Sequence, residues 1–144
     1  MDAGYAQVLR GLGAVMPGMI KRGAGHIALV SSMSGYRGFT GTAAGAPAQA
    51  ALISLSEALK NDLARFGVKI SIINPAPQSG SRDAASSEPA LSAREAAAGI
   101  ISGLQRGRYE IAYPSRTLWR MKSLRMIPNS LFFWLQRRRE SSLG

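Results

Sequence analysis

One stretch, residues 26–66, constrains what this chain can fold into. It opens on Ile27-Ala28-Leu29-Val30, continuously apolar, as a parallel strand covered on both faces must be. The Gly-rich segment 32–45 cannot extend that strand and reads as a loop. From residue 46 the period changes. Leu52, Leu55, Leu59, Leu63 and Phe66 recur at spacings of three and four, which places them on one helical face. Lys60, Asn61, Asp62 and Arg65 fall mostly away from it, and Pro47 suits a first helical turn. Residues 68–74, with Val68, Ile70, Ile72 and Ile73, then supply a second strand. Strand, helix, strand in this order predicts a right-handed parallel crossover and an α/β fold.

The flanks agree with that class. Residues 2–22 carry Tyr5, Val8, Leu9, Leu12, Val15, Met16, Met19 and Ile20 at helical spacing. Pro17 should kink this helix, and Gly23 and Gly25 should end it. Residues 78–89 are rich in Ser, Ala and Gly and predict a mobile loop. Ser92-Ala93-Arg94-Glu95 is a capping-box pattern opening a helix to about Gln105, with Ala96, Ile100 and Leu104 as its buried line. Residues 109–113 predict a short third strand closed by Pro114. The tail, 116–139, reads as two short helices broken at Pro128. Its second half, Leu131-Phe132-Phe133-Trp134-Leu135, is apolar all round. Packing against the domain or a partner subunit is the favoured reading, and a helix lying in a membrane interface is the sharper one.

Composition narrows the function. The 144 residues contain no cysteine, which excludes disulfides, thiol catalysis and thiolate metal sites and fits a reducing, cytoplasmic setting. With a single histidine, His26, no metal site is expected. No apolar run is long enough to span a membrane, and the N-terminus lacks a secretory pattern. The net charge is +10, and half of the basic residues lie from Arg106 onward. That asymmetry suits an anionic membrane surface or a soluble tail; with no nucleic-acid module in the sequence, a nucleic-acid partner is not expected.

Residues 27–38, Ile-Ala-Leu-Val-Ser-Ser-Met-Ser-Gly-Tyr-Arg-Gly, resemble the fifth strand and following loop of the short-chain dehydrogenase/reductase family. Gln49-Ala50-Ala51-Leu52 and Leu55-Ser56-Glu57-Ala58-Leu59 are similar to the helix that carries its Tyr-x-x-x-Lys pair. The resemblance implies a partial Rossmann-like, doubly wound parallel sheet of about three strands over residues 1–114, with a basic helical tail at 115–144. It implies an NAD- or NADP-dependent oxidoreductase acting on the alcohol or carbonyl of a small-molecule substrate. Ser32 takes the place of the catalytic Ser. Pro75 and Gln78 fall in the segment whose backbone lies against the nicotinamide end of the cofactor.

The same alignment shows departures. Gly45 stands where the family has its Tyr, Gln49 where it has its Lys, and Ala76 where it has a Gly, and no Tyr-x-x-x-Lys occurs elsewhere. Met1 falls at a catalytic Asn, so the chain is expected to begin inside the family's fold, after the dinucleotide-binding half. Gly35-x-x-Gly38-x-x-Gly41 follows the wrong strand at the wrong spacing for a dinucleotide turn and reads as a loop. In the family the Tyr phenol moves the proton while hydride moves at the nicotinamide. A free phenol, of pKa about 10, needs the adjacent Lys cation to do so at neutral pH. Gly45 supplies no proton, and a neutral Gln49 cannot tune one. Tyr36 is the one phenol near Ser32 in sequence, and it reads as a surface aromatic beside Arg37. The expectation is therefore a family member impaired in the family's reaction. The alternatives are an interaction module forming a homo-oligomer through helices 2–22 and 46–66, and a peripheral membrane protein using 116–139.

Overall fold

The computed structural model describes residues 2–75, 93–113 and 115–141. The elements run α1 (Asp2–Arg22), β1 (Gly25–Val30), a single 3-10 turn (Met33–Gly35), α2 (Ala46–Ala64), β2 (Val68–Pro75), α3 (Ala93–Gln105), β3 (Glu110–Tyr113), α4 (Ser115–Met126) and α5 (Asn129–Ser141). All three strands are parallel, in the order β1-β2-β3, with Ile27 opposite Ile70, Leu29 opposite Ile72, and Ile73 opposite Ile111. The strand and helix positions expected from periodicity are those observed, with ends differing by one or two residues.

One sheet face is closed. Ile27, Leu29, Val68, Ile70 and Ile72 lie beneath α1 and α2, where they meet Leu12, Ile53 and Leu63. Val8, Met16, Met19, Ile20, Leu55, Leu59 and Phe66 pack around this core at partial burial. Leu9 and Val15 of α1 stay exposed, so the helix's apolar face is wider than its contact. Gly67, at φ +68°, lies where a Cβ would stand 2.3 Å from the Gly23 carbonyl oxygen; the turns before β1 and β2 touch, and only glycine fits.

The other face is half open. There α3 covers β2 and β3, with Gly103 set directly on Ile111. β1 presents Ala28 and Val30 outward, Val30 at 62% exposure. The expectation that β1 is covered on both faces is thus corrected: these residues supply a cover for one face only. An unbroken apolar run cannot distinguish a strand whose second cover is present from one whose cover is not. His26 and Ser71 join β1 to β2 on this face, 2.8 Å apart, and Ser71 donates onward to the Arg108 carbonyl at 2.7 Å.

The helix 92–105 begins at Ala93; Ser92 of the capping box lies outside the described residues, as do Gln78 and the loop 78–89. Ala96, Ile100 and Leu104 are half-buried, and Gly103 is the fully buried position of α3. The tail breaks at Pro128 as expected. Of its apolar run only Phe132 is buried, while Leu131, Phe133, Trp134 and Leu135 remain exposed.

Candidate active site

The carboxyl ends of parallel strands are where α/β folds place their ligands. Here β1 delivers Ser31 and Ser32 to that end, and β2 delivers Asn74 and Pro75. Ser32 sits at the N-cap of the 3-10 turn in extended backbone geometry. Its Oγ accepts from the Ser34 amide at 3.3 Å and from the Ser34 hydroxyl at 3.2 Å, leaving its own proton to donate. The residue is half-buried.

The positions that should serve Ser32 are occupied differently. Gly45 is the N-cap residue of α2 and makes no side-chain cap; a Cβ there would meet open space. Gln49 lies one turn into the helix. Its backbone carbonyl accepts from the Ser31 hydroxyl at 3.0 Å, and its side-chain Oε1 is buried without a hydrogen-bond partner. The loop is held close to α2 by Gly35, where a Cβ would come within 2.9 Å of the Gln49 carbonyl carbon and the Ala50 nitrogen. The Ser31 hydroxyl thus ties the end of β1 to the first turns of α2, and the side chains of Ser31, Ser32 and Gln49 supply two hydroxyls and an amide, none of which can act as an acid at neutral pH. Pro75 ends β2 and is half-buried; Gln78 is outside the described residues.

Tyr36 is not the surface aromatic the sequence suggests. It is buried, 7% exposed, and its phenol donates to Glu110 Oε1 on β3 while accepting from Asn74 Nδ2 at 2.7 Å. Glu110 Oε2 is paired with Lys122 of α4. Burial, with the Glu110 carboxylate adding to it, pushes the Tyr36 phenol far above its ordinary value. This chain of four joins the loop, β2, β3 and α4, and it removes Tyr36 as a stand-in proton donor. Asn74 is fully buried, and its Oδ1 has no hydrogen-bond partner. A second tie runs from Tyr109, which donates to Ser56 Oγ at 2.8 Å, because Ser56 spends its own proton on the Ile53 carbonyl at 2.7 Å. Burial raises the Tyr109 phenol, and Ser56 opposes that rise. Sequence reasoning missed Glu110 and Asn74. The one available signal was an acid placed within a short apolar strand.

A cleft of about 790 Å³ opens between the loop 34–43, the first half of α2 and the tail helices. Phe39, Ile53, Glu57, Arg125 and Phe133 line it. Ser34, which bonds Ser32 Oγ, and Ala46, Pro47 and Ala50, which flank Gly45 and Gln49 in sequence, also line it. Among the described residues no group of three or more His, Cys, Asp or Glu side chains could hold a metal ion.

A parallel sheet with Ser32 at the carboxyl end of one strand and a helix packed behind it is a partial Rossmann-like α/β frame. Comparison with known proteins identifies the family. The family model described as short chain dehydrogenase matches residues 1–89, and this chain belongs to that family. An uncharacterized oxidoreductase of Myxococcus xanthus is 32% identical over 124 residues, covering 84% of this chain and 49% of that protein. The 3-ketodihydrosphingosine reductase of Dictyostelium discoideum is 31% identical over 128 residues, covering 78% of this chain and 38% of the relative. The chain therefore spans half or less of the length of these relatives. A short chain dehydrogenase of Burkholderia cenocepacia, solved in complex with NADP, shares the fold at a TM-score of 0.72 and 21% identity, over 86% of this chain and 52% of that one.

Proposed function

We propose that these 144 residues form the substrate-side part of a short-chain dehydrogenase-type oxidoreductase and do not by themselves carry out its hydride transfer. The observation that carries this reading is the first turn of α2. Open space stands beside Gly45 where the family's proton donor belongs, and a neutral, buried amide, Gln49, stands where its cation belongs. Ser32 keeps a donor proton and the position to orient a carbonyl oxygen. A serine hydroxyl is too weak an acid to replace a phenol tuned by a cation, and losing a positioned general acid forfeits about 10²–10⁴-fold in rate.

The nicotinamide cofactor of the family, NAD or NADP, does not fit the residues present. It would bring hydride chemistry to the carboxyl ends of the strands. There Gln49 offers a ribose no charge, and its oxygen faces protein rather than an open site. The sequence holds no Gly-x-x-x-Gly-x-Gly turn to receive a pyrophosphate. The full chain, incubated with NADPH or NADH and a panel of aldehydes and ketones, is expected to consume no cofactor above the protein-free rate. Consumption that scales with protein and saturates with substrate would overturn the proposal.

A second reading rests on α1. Leu9 and Val15 are 43% and 45% exposed on a helix that already packs on α2, and an apolar stripe of that kind suits pairing of α1 and α2 with a second copy. Light scattering that reports a dimer weakened by the Leu9→Ser, Val15→Ser double variant supports it; a clean monomer at high concentration removes it.

A further inference from the structure

The tail is fastened to the domain along one side only. Phe132 is buried against Phe39, with ring centroids 5.8 Å apart, and the Arg37 guanidinium lies over the Phe132 ring at 4.2 Å. Arg37 also donates to the Ile127 carbonyl at 3.2 Å and to Asn129 Oδ1 at 2.9 Å. One turn on, Gln136 continues the attachment, receiving the Thr40 hydroxyl at 3.0 Å. Residues 132 and 136 therefore define the docked face of α5. Leu131, Trp134, Leu135 and Arg138 are spaced at i, i+3, i+4 and i+7 and form a separate stripe, well round the helix from it. All four are exposed, Trp134 at 48%, Leu131 at 47% and Leu135 at 44%. Arg138 lies over the Trp134 ring at 4.2 Å, so the stripe ends in an aromatic with a cation on its face. On α4, Trp119 and Met126 are more exposed still, at 74% and 87%.

Charge decides what such a surface fits. Residues 115–141 carry seven Lys and Arg side chains against one acid, Glu140. Lys122 is paired with Glu110, and the segment still carries a net positive charge, which suits an anionic surface that also takes up the Trp and Leu side chains. Among the described residues no helix is long and apolar enough to cross a membrane, so the stripe lies on a bilayer rather than through it.

We propose that α5, with the exposed residues of α4 beside it, docks on the surface of an anionic phospholipid bilayer. Leu131, Trp134 and Leu135 enter the boundary between headgroups and acyl chains, and the net positive charge of the tail draws it to anionic headgroups. The inference does not depend on whether the Ser32 site is active. The two tryptophans of the sequence, Trp119 and Trp134, both belong to the tail and report on it directly.

The test uses the full chain with vesicles of phosphatidylcholine alone, or with about 30% phosphatidylserine. At low salt the protein is expected to co-sediment with the anionic vesicles and not with the neutral ones. Its tryptophan emission should shift to the blue and be quenched by brominated lipid. Partitioning should fall about tenfold or more as salt screens the headgroups. The Leu131→Ser, Trp134→Ser, Leu135→Ser variant removes only exposed side chains; with an unchanged circular dichroism spectrum it should lose most of the binding. Failure of the wild-type chain to bind anionic vesicles at low salt overturns the proposal. So does vesicle binding that the folded triple variant retains in full, or tail-dependent self-association in place of vesicle binding.

Discussion

Two polar clusters hang from the same loop; each holds one amide oxygen without a partner, Gln49 Oε1 or Asn74 Oδ1, and they differ in what their hydroxyl protons do. Around Ser32 the hydroxyl caps one turn and keeps a free proton, Gly45 contributes no side chain, and Gln49 Oε1 is left unpartnered. Four residues further, Tyr36 both donates and accepts, and Glu110 uses one oxygen for the phenol and the other for Lys122. In the function proposed above, the first cluster has the place of a reaction centre without its acid. The second has a phenol, a carboxylate and an ammonium close together, and it spends them on holding four elements in register. Proximity of reactive groups is thus a poor guide to chemistry here; what separates the clusters is whether a proton is left over.

The sharpest way to break that comparison is Tyr36→Phe. Removing the phenol leaves Glu110 Oε1 and Asn74 Nδ2 short of a partner in a buried setting, which costs about 1–3 kcal/mol. Denaturant unfolding of wild type and variant reads this directly. An effect below a few tenths would mean that the network is not structural.

Alkaline unfolding sharpens the same point. A phenol whose folded pKa is raised keeps its proton in the folded protein while the unfolded chain releases it near pH 10. Its contribution is fully present below that value, and stability should fall as pH climbs past about 10. Tyr36→Phe should flatten the fall without abolishing it, because the Tyr109 phenol is also raised. An alkaline melting profile identical in the two proteins would contradict the assignment.

On the other side of the comparison the effects are small. Ser32→Ala removes a cap on one 3-10 turn and should cost about 0.5–1 kcal/mol, within the range for a lost cap. Gln49→Leu replaces an amide whose oxygen has no partner, so stability should stay within about 0.5 kcal/mol of wild type or rise. A loss of several kcal/mol at Gln49 would show that its oxygen is engaged.

Much of the fold was legible because it is written in local period. The threes and fours of α1 and α2 and the apolar runs of β1 and β2 each need only a short window, and Pro128 parts α4 from α5 by its missing donor. That Ser32 follows β1 and that Gly45 and Gln49 stand at the start of α2 was legible too, from the same change of period. What escaped is non-local. Tyr36 meets Glu110 across 74 positions, and nothing near either residue announces the other. The open side of β1 escaped for a different reason. Ala28 and Val30 are apolar whether or not a second layer covers them, so their identity says which neighbour they suit and not whether this chain provides it. The tail shows a milder form of this: Leu131–Leu135 reads as apolar throughout, and only the fold reveals that Phe132 alone is spent on the domain.

The claim that matters most is that the α2 turn cannot serve nicotinamide chemistry as it stands. Equilibrium titration of the purified full chain with NADPH, followed by the cofactor's own fluorescence, tests it most directly. The account predicts no saturable signal up to about 1 mM, the upper end of ordinary enzyme affinities. Saturable binding in the micromolar range, weakened by Gln49→Leu, would contradict it.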